Sequence, residues 1–232
     1  MTILIGTITE RTGWLTQNTL CIESRSNPEP LAMFPKVLML PHMQMISGGY
    51  GDARMFCNWQ SFLCANGQYR NIDCIIENSR NYLTNMAKTF LGDMPFIAVI
   101  MGWSLERQRI TGYVYQSENG FEPQELSMGH IIHPMEFDTT SQDFSRCWQG
   151  AANGQQVDEF HTEVGKRQFQ SAENGILPDY SCLGGQLIRV KITKDAMEAR
   201  VLHEFPDYET NLSILKSKVL GTPLVSQTTK AG

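Results

Sequence analysis

The chain has 232 residues, 41% of them hydrophobic and 19% charged, with a formal net charge of −5. That apolar share supplies a sizeable core without disulfides or a structural metal. The chain lacks the clustered Lys and Arg of a nucleic-acid surface, and no apolar run approaches the ~20 residues of a membrane span. Met1–Gly6 lacks a basic region followed by a long apolar stretch, so the expected location is cytoplasmic, with neither nucleic acid nor membrane as partner.

Residues 2–9 (TILIGTIT) are rich in β-branched side chains and predict a strand. Glu10–Gly13 turns the chain, and residues 14–22 return as the second strand of a hairpin. Ser24–Pro30 carries turn chemistry. Lys36–Leu40 and Met43–Ser47, on either side of Pro41-His42, predict a second hairpin. After Gly48-Gly49 the period becomes helical, first through Phe56, Cys57, Gln60 and Leu63, then through Ile72, Ile75, Leu83 and Met86. Gly67 separates the two helices and Gly92-Asp93 ends the second. Residues 95–102, 109–117 and 124–133 predict strands. Thr139–Asn174 predicts at least one helix, clearest at Val157–Ala172, and Gln186–Thr193 and Met197–Glu204 predict a last pair of strands. Beyond Asp207 no pattern is strong. The expectation is one domain over residues 1–207 and a C-terminal extension over 208–232 with a flexible end.

Blocks of antiparallel strands alternating with helix pairs predict a layered α+β fold without βαβ crossovers. The six cysteines form no CxxC pair and match neither a zinc site nor a disulfide framework, so all are expected reduced and most buried. His130 and His133, three apart in a strand, face opposite sides and predict no shared metal. Gly48–Asp52 is not a phosphate-binding loop. No cofactor is expected.

Several local features fall in a telling order: Thr2 at the head of a strand, Lys36-Val37-Leu38, Ile46-Ser47-Gly48-Gly49 before a long helix, Phe96–Trp103 followed by Tyr113-Val114-Tyr115 and Asn119-Gly120, and Asp179-Tyr180-Ser181 before Gly184-Gly185. Over about residues 2–207 this resembles the proteasome β-subunit family of N-terminal-nucleophile hydrolases and its bacterial relatives. The resemblance implies a four-layer αββα sandwich, with two antiparallel sheets between helix layers. It also implies a threonine-type peptidase acting on a peptide or other amide through an acyl-enzyme, and assembly into a homo-oligomeric ring or stack.

Removal of Met1 would make Thr2 the first residue. A free α-amine has an ordinary pKa of about 7.7–8.0, so part of it is neutral and able to take the hydroxyl proton while Oγ attacks a carbonyl carbon. The bland alternative is a Thr that merely starts a strand. Lys36 would be the electrostatic partner, lowering the hydroxyl pKa, or a strand lysine reaching solvent. Gly48 would offer its N–H to an oxyanion, or simply turn the chain. Where the family places an Asp, counting from Thr2 reaches Asn18, while an alignment with extra hairpin residues reaches Glu23. An amide accepts a hydrogen bond from Lys36 without compensating its charge. Asp179 and Ser181 match the support residues near the amine, or form an ordinary Pro-Asp turn, and Ser127 matches a second hydroxyl. A catalytically weak or inactive scaffold subunit is the alternative function, favoured by Asn18.

Overall fold

The runs richest in β-branched and aromatic residues pair antiparallel throughout. The structure is a computed structural model that describes residues 3–22, 29–66, 69–90, 95–126, 128–135, 137, 139–176 and 183–220. In chain order it contains β1 (Leu4–Ile8), β2 (Thr12–Asn18), β3 (Leu20–Ile22), β4 (Pro30–Met33), β5 (Leu38–Leu40), β6 (Met45–Tyr50), α1 (Ala53–Ala65), α2 (Ile76–Phe90), β7 (Ile97–Ser104), β8 (Arg109–Gln116), β9 (Gln124–Glu125), β10 (Gly129–His133), α3 (Gln142–Ala152), α4 (Val157–Glu173), β11 (Gln186–Thr193), β12 (Met197–Glu204) and α5 (Tyr208–Leu220). The protein is thus α+β, with three antiparallel sheets and five α-helices among the described residues. One sheet runs β10-β1-β2-β11-β12, the second runs β5-β6-β7-β8-β9, and β3 with β4 forms a small pair.

Side-chain alternation along the central strands decides what each face buries. Leu4, Ile8 and Leu15 enter a core with Ile46, Val99 and Met101, between the two five-stranded sheets. Ile3, Ile5 and Trp14 point the other way, against Phe144, Phe160 and Val164 of α3 and α4. The second sheet's other face carries Ala98, Ile100 and Tyr115, covered by Trp59 and Leu63 of α1 and by Leu83 and Met86 of α2. Helix starts are capped locally: Asp52 Oδ1 accepts from the N–H groups of Arg54 and Met55 at the head of α1, and Ser141 Oγ accepts from Phe144 N–H at the head of α3. Among the described residues no helix is long and apolar enough to cross a membrane.

The hairpins over residues 4–18 and 38–50 and the two helices after them follow the sequence expectation. Four features differ. The expected strand over 124–133 is two strands in different sheets: Glu125 pairs with Tyr113, whereas Gly129 pairs with Ile8. The chain changes sheets between them, at Gly129 with φ +140, a backbone region open to glycine. The strand expected over 14–22 ends at Asn18, and Leu20–Ile22 pairs with β4 in the small sheet. Residues 208–220, expected to be patternless, form α5 against β4. No side chain from 208 to 219 is fully buried, so no strong apolar stripe marks the helix in sequence. Finally, most cysteines were expected buried, yet Cys57, Cys64 and Cys74 are exposed and Cys21 and Cys147 half-buried. Cys57 and Cys64 lie two turns apart on the side of α1 away from Met55, Trp59 and Leu63, which take the core positions.

Candidate functional site

Thr2, Asp179 and Ser181 lie outside the described residues, as do Glu23 and Ser127. The other predicted residues, Asn18, Lys36 and Gly48, are described. Asn18 is fully buried at the end of β2, and its Oδ1 accepts from Ile3 N–H at 2.8 Å. Its Nδ2 donates to the carbonyl of Gly184 at 3.3 Å. Leu20 N–H donates to the same carbonyl at 3.4 Å, and the carbonyl of Leu20 accepts from Lys36 Nζ at 2.6 Å. A run of hydrogen bonds therefore joins the backbone of Ile3 to the Lys36 ammonium.

Lys36 is 5% exposed and stands in the irregular segment before β5 rather than within the strand. Its backbone carbonyl accepts from Gln60 Nε2 of α1 at 3.0 Å, which fixes the segment against the helix. Burying an ammonium is costly unless it is hydrogen-bonded, so the Leu20 carbonyl is part of what keeps it there. The Lys36 side chain lines a cleft of about 80 Å³ whose walls include Leu20, Ile22, Phe34, Gly49 and Phe56. A cation in a mostly apolar cleft favours the deprotonated form of any hydroxyl or amine that enters.

Of the glycine pair, Gly49 lines this cleft and Gly48 faces the other sheet. A Cβ on Gly48 would lie 2.8 Å from Leu15 Cδ2 and 2.7 Å from Gln17 Oε1, so the sheets approach closely only because it is glycine. The Gly184-Gly185 turn is equally confined. Gly185 has φ +76, and a Cβ there would meet Thr19 Oγ1 at 2.5 Å.

Two residues near the site were not singled out by sequence. Gln17 is 1% exposed; its Nε2 donates to the Gly49 carbonyl, and among the described residues its Oε1 has no hydrogen-bond partner. The signal was available, because Gln17 shares the inward face of β2 with Gly13 and Leu15 and breaks its apolar character. Asp207 supports the glycine turn from behind. Its Oδ1 accepts from Gly185 N–H at 3.4 Å and its Oδ2 from Asn211 Nδ2 at 2.7 Å. Burial raises the Asp207 carboxyl pKa, against the lowering effect of those bonds.

A second polar cluster lies on the outer face of β1 and β2, under α3 and α4. Thr7 Oγ1 stands 2.8 Å from both His130 Nδ1 and His161 Nε2, and Thr16 Oγ1 stands 2.7 Å from His161 Nδ1. The far end is a carbonyl, that of Trp148, 3.0 Å from His130 Nε2. A carbonyl only accepts, so neutral His130 carries its proton on Nε2 and takes one from the Thr7 hydroxyl at Nδ1. Thr7 is then left to accept from His161 Nε2–H, and His161 Nδ1 accepts from Thr16. Burial holds His161 well below the ordinary imidazole pKa, with His130 and Arg189 adding to it. Burial lowers His130 too, partly offset by its bond to Trp148. His133 turns to the opposite face, its ring 5.9 Å from Tyr50, as the strand alternation predicts.

A larger groove of about 610 Å³ opens between α4 and the β11–β12 edge, beside Arg189 and Asp158. None of the described site residues predicted from sequence lines it. Compared with known proteins, the chain matches no family model and no curated protein.

Proposed function

We propose that the protein is a proteasome-like N-terminal-nucleophile hydrolase, an amide-bond hydrolase and most specifically a peptidase, with Thr2 as its nucleophile once Met1 is removed. The four-layer αββα sandwich belongs to this reading. Its support is the sequence of three cores, helix on sheet, sheet on sheet and sheet on helix. The observation that carries the function is the hydrogen-bonded run from Ile3 through Asn18, Gly184 and Leu20 to the buried Lys36 ammonium. It ties the residue next to Thr2 to a cation at a mostly apolar cleft. In the proposed reaction the α-amine of Thr2 takes the hydroxyl proton and Oγ attacks the amide carbon. Lys36 favours the alkoxide, and a backbone N–H of the Gly48-Gly49 segment receives the oxyanion. The apolar wall of Phe34 and Phe56 suits an apolar substrate side chain. Relatives in this family hide such sites inside rings, so a cytoplasmic homo-oligomer is part of the proposal.

A second reading, an inactive scaffold subunit of the same fold, is favoured by Asn18. Its amide is engaged at both ends and brings no negative charge toward Lys36. One experiment separates the two. Intact mass first shows whether Met1 is lost. The purified chain is then incubated with a threonine-directed covalent inhibitor and mapped by peptide mass spectrometry. The hydrolase reading expects an adduct on Thr2, absent in Thr2→Ala, together with hydrolysis of a peptide panel that the variant lacks. Retained Met1, or no adduct and no hydrolysis, leaves the scaffold reading standing.

A further inference from the structure

Two thiols share the cleft with Lys36. Cys21 stands on β3 and Cys57 on α1, and both line the same space of about 80 Å³, room for only a few waters. Cys21 is half-buried and Cys57 exposed, so solutes reach them. The other described thiols, Cys64, Cys74 and Cys147, do not line this cleft. The two walls also differ in how firmly they are held. α1 is packed into the second sheet through Met55, Phe56, Trp59 and Leu63, whereas β3 belongs to the small two-stranded sheet and to neither large one. Leu20 is tied to Gly184 and Lys36, so the half-buried Cys21–Ile22 end of this short strand is the wall that can shift at low cost.

We propose that Cys21 and Cys57 form a redox-sensitive dithiol site, oxidised by peroxides to a disulfide that pins β3 to α1 and closes the cleft. In the first step one thiolate attacks a peroxide oxygen. With hydrogen peroxide the O–O bond breaks, giving a sulfenic acid and, after proton transfer, one water. The second sulfur then displaces the sulfenic oxygen, which leaves as a second water while the S–S bond forms. Two thiols and one hydrogen peroxide become one disulfide and two waters, with two electrons passing from sulfur to oxygen. Burial and then the neighbouring Cys21 thiol push the Cys57 pKa up, so the rate rises with pH as thiolate forms. A disulfide needs Cα atoms within about 4.4–6.8 Å, so the bond fixes the two walls of the cleft at that separation. That closure would switch off hydrolysis rests on the proposed function; the sulfur chemistry does not.

The test treats the full chain with hydrogen peroxide under native conditions, blocks remaining thiols with iodoacetamide, and maps peptides without reduction. The expected result is a linked pair containing Cys21 and Cys57, reversed by dithiothreitol and absent in Cys57→Ser and Cys21→Ser. Slower hydrogen exchange in β3 and the first turns of α1 should accompany it. Cys57 is exposed, so Cys57→Ser should fold normally and remains informative if Cys21→Ser does not. Recovery of the two cysteines on separate oxidised or alkylated peptides, or a link to any other cysteine, overturns the proposal. Thr2→Ala must form the same cross-link, so failure of the hydrolase reading leaves this result untouched.

Discussion

The outer faces of the two large sheets are covered in different ways. Under α1 and α2 the second sheet buries a mostly apolar layer, and its few polar atoms bond locally: Trp59 Nε1 donates to Ser47 Oγ at 3.1 Å, and Tyr115 OH to the Ile76 carbonyl at 3.2 Å. Under α3 and α4 the first sheet buries a histidine–threonine chain and, beside it, the Arg189 guanidinium. Arg189 is bidentate to Asp158 at 2.9 Å through both Nε and Nη2, with Glu198 at 3.3 Å. Both faces reach high burial. One does so with shape, the other with bonds that hold only for particular protonation states. The histidines whose protonation bears on stability below neutral pH therefore lie on the first sheet's side.

The largest expected effects test that contrast directly. Trp59→Ala removes a fully buried indole and should cost about 3–5 kcal/mol in urea unfolding, unchanged between pH 7 and 5. Asp158→Ala leaves the guanidinium of Arg189, 5% exposed, with Glu198 as its one carboxylate among the described residues, also takes a partner from Arg200, and should cost about 2–3 kcal/mol. Adding Arg189→Met should recover most of that second loss, because the uncompensated charge leaves with it. If Asp158→Ala costs no more than an ordinary surface change, the polar face is not held by this pair.

A smaller effect separates the faces by pH. His130 and His161 have native pKa values below the ordinary imidazole value of about 6.5. The unfolded chain therefore binds more protons than the native one in this range, and stability rises with pH. Their contribution is present above about pH 6.5 and lost as pH falls through the lower native values. His161→Leu removes the acceptor of Thr16 and the donor to Thr7 and should cost about 2 kcal/mol at pH 7. The gap between this variant and the parent should narrow toward pH 5. His203, also lowered by burial, shifts stability in the same direction, so His203→Gln is the needed control. A gap that stays constant with pH would show that His161 acts by shape alone.

The apolar side of the molecule was the more legible in sequence. The β-branched run over 2–9, the helical spacing of Phe56, Leu63, Leu83 and Met86, and the apolar runs on either side of Pro41-His42 all report burial. The polar side was not. His161 reads as one more residue on a helix because its partners, Thr7 and Thr16, are far away in sequence. The split of 124–133 between sheets escapes notice because both halves are strand-like, and only Gly129 marks the crossing. In the candidate site, counting reached Asn18 and the resemblance pointed to Lys36, and their bonds to Ile3, Gly184 and Leu20 put both in one network. Counting could not distinguish Gly48, which faces the other sheet, from Gly49, which lines the cleft. Asp207 was hidden in a tail without periodicity.

Lys36→Met should have the smallest effect on stability and the sharpest on function. The substitution keeps an unbranched side chain of similar length in a mostly apolar cleft and removes the cost of burying the ammonium. Against this, the Leu20 carbonyl loses a charge-assisted donor, an effect of about 1.5–3 kcal/mol. The two oppose each other, so the net change should fall within about 1 kcal/mol of the parent. If Lys36 takes no part in the chemistry, the folded variant keeps the Thr2 adduct and the hydrolysis of the parent. If it serves the chemistry, the variant folds like the parent, retains the Cys21–Cys57 cross-link, and loses both the Thr2 adduct and hydrolysis. A variant that unfolds outright would mean that the ammonium is a structural keystone, and the hydrogen-bonded run from Ile3 to Lys36 would then exist to hold the sheet ends together rather than to prepare a nucleophile.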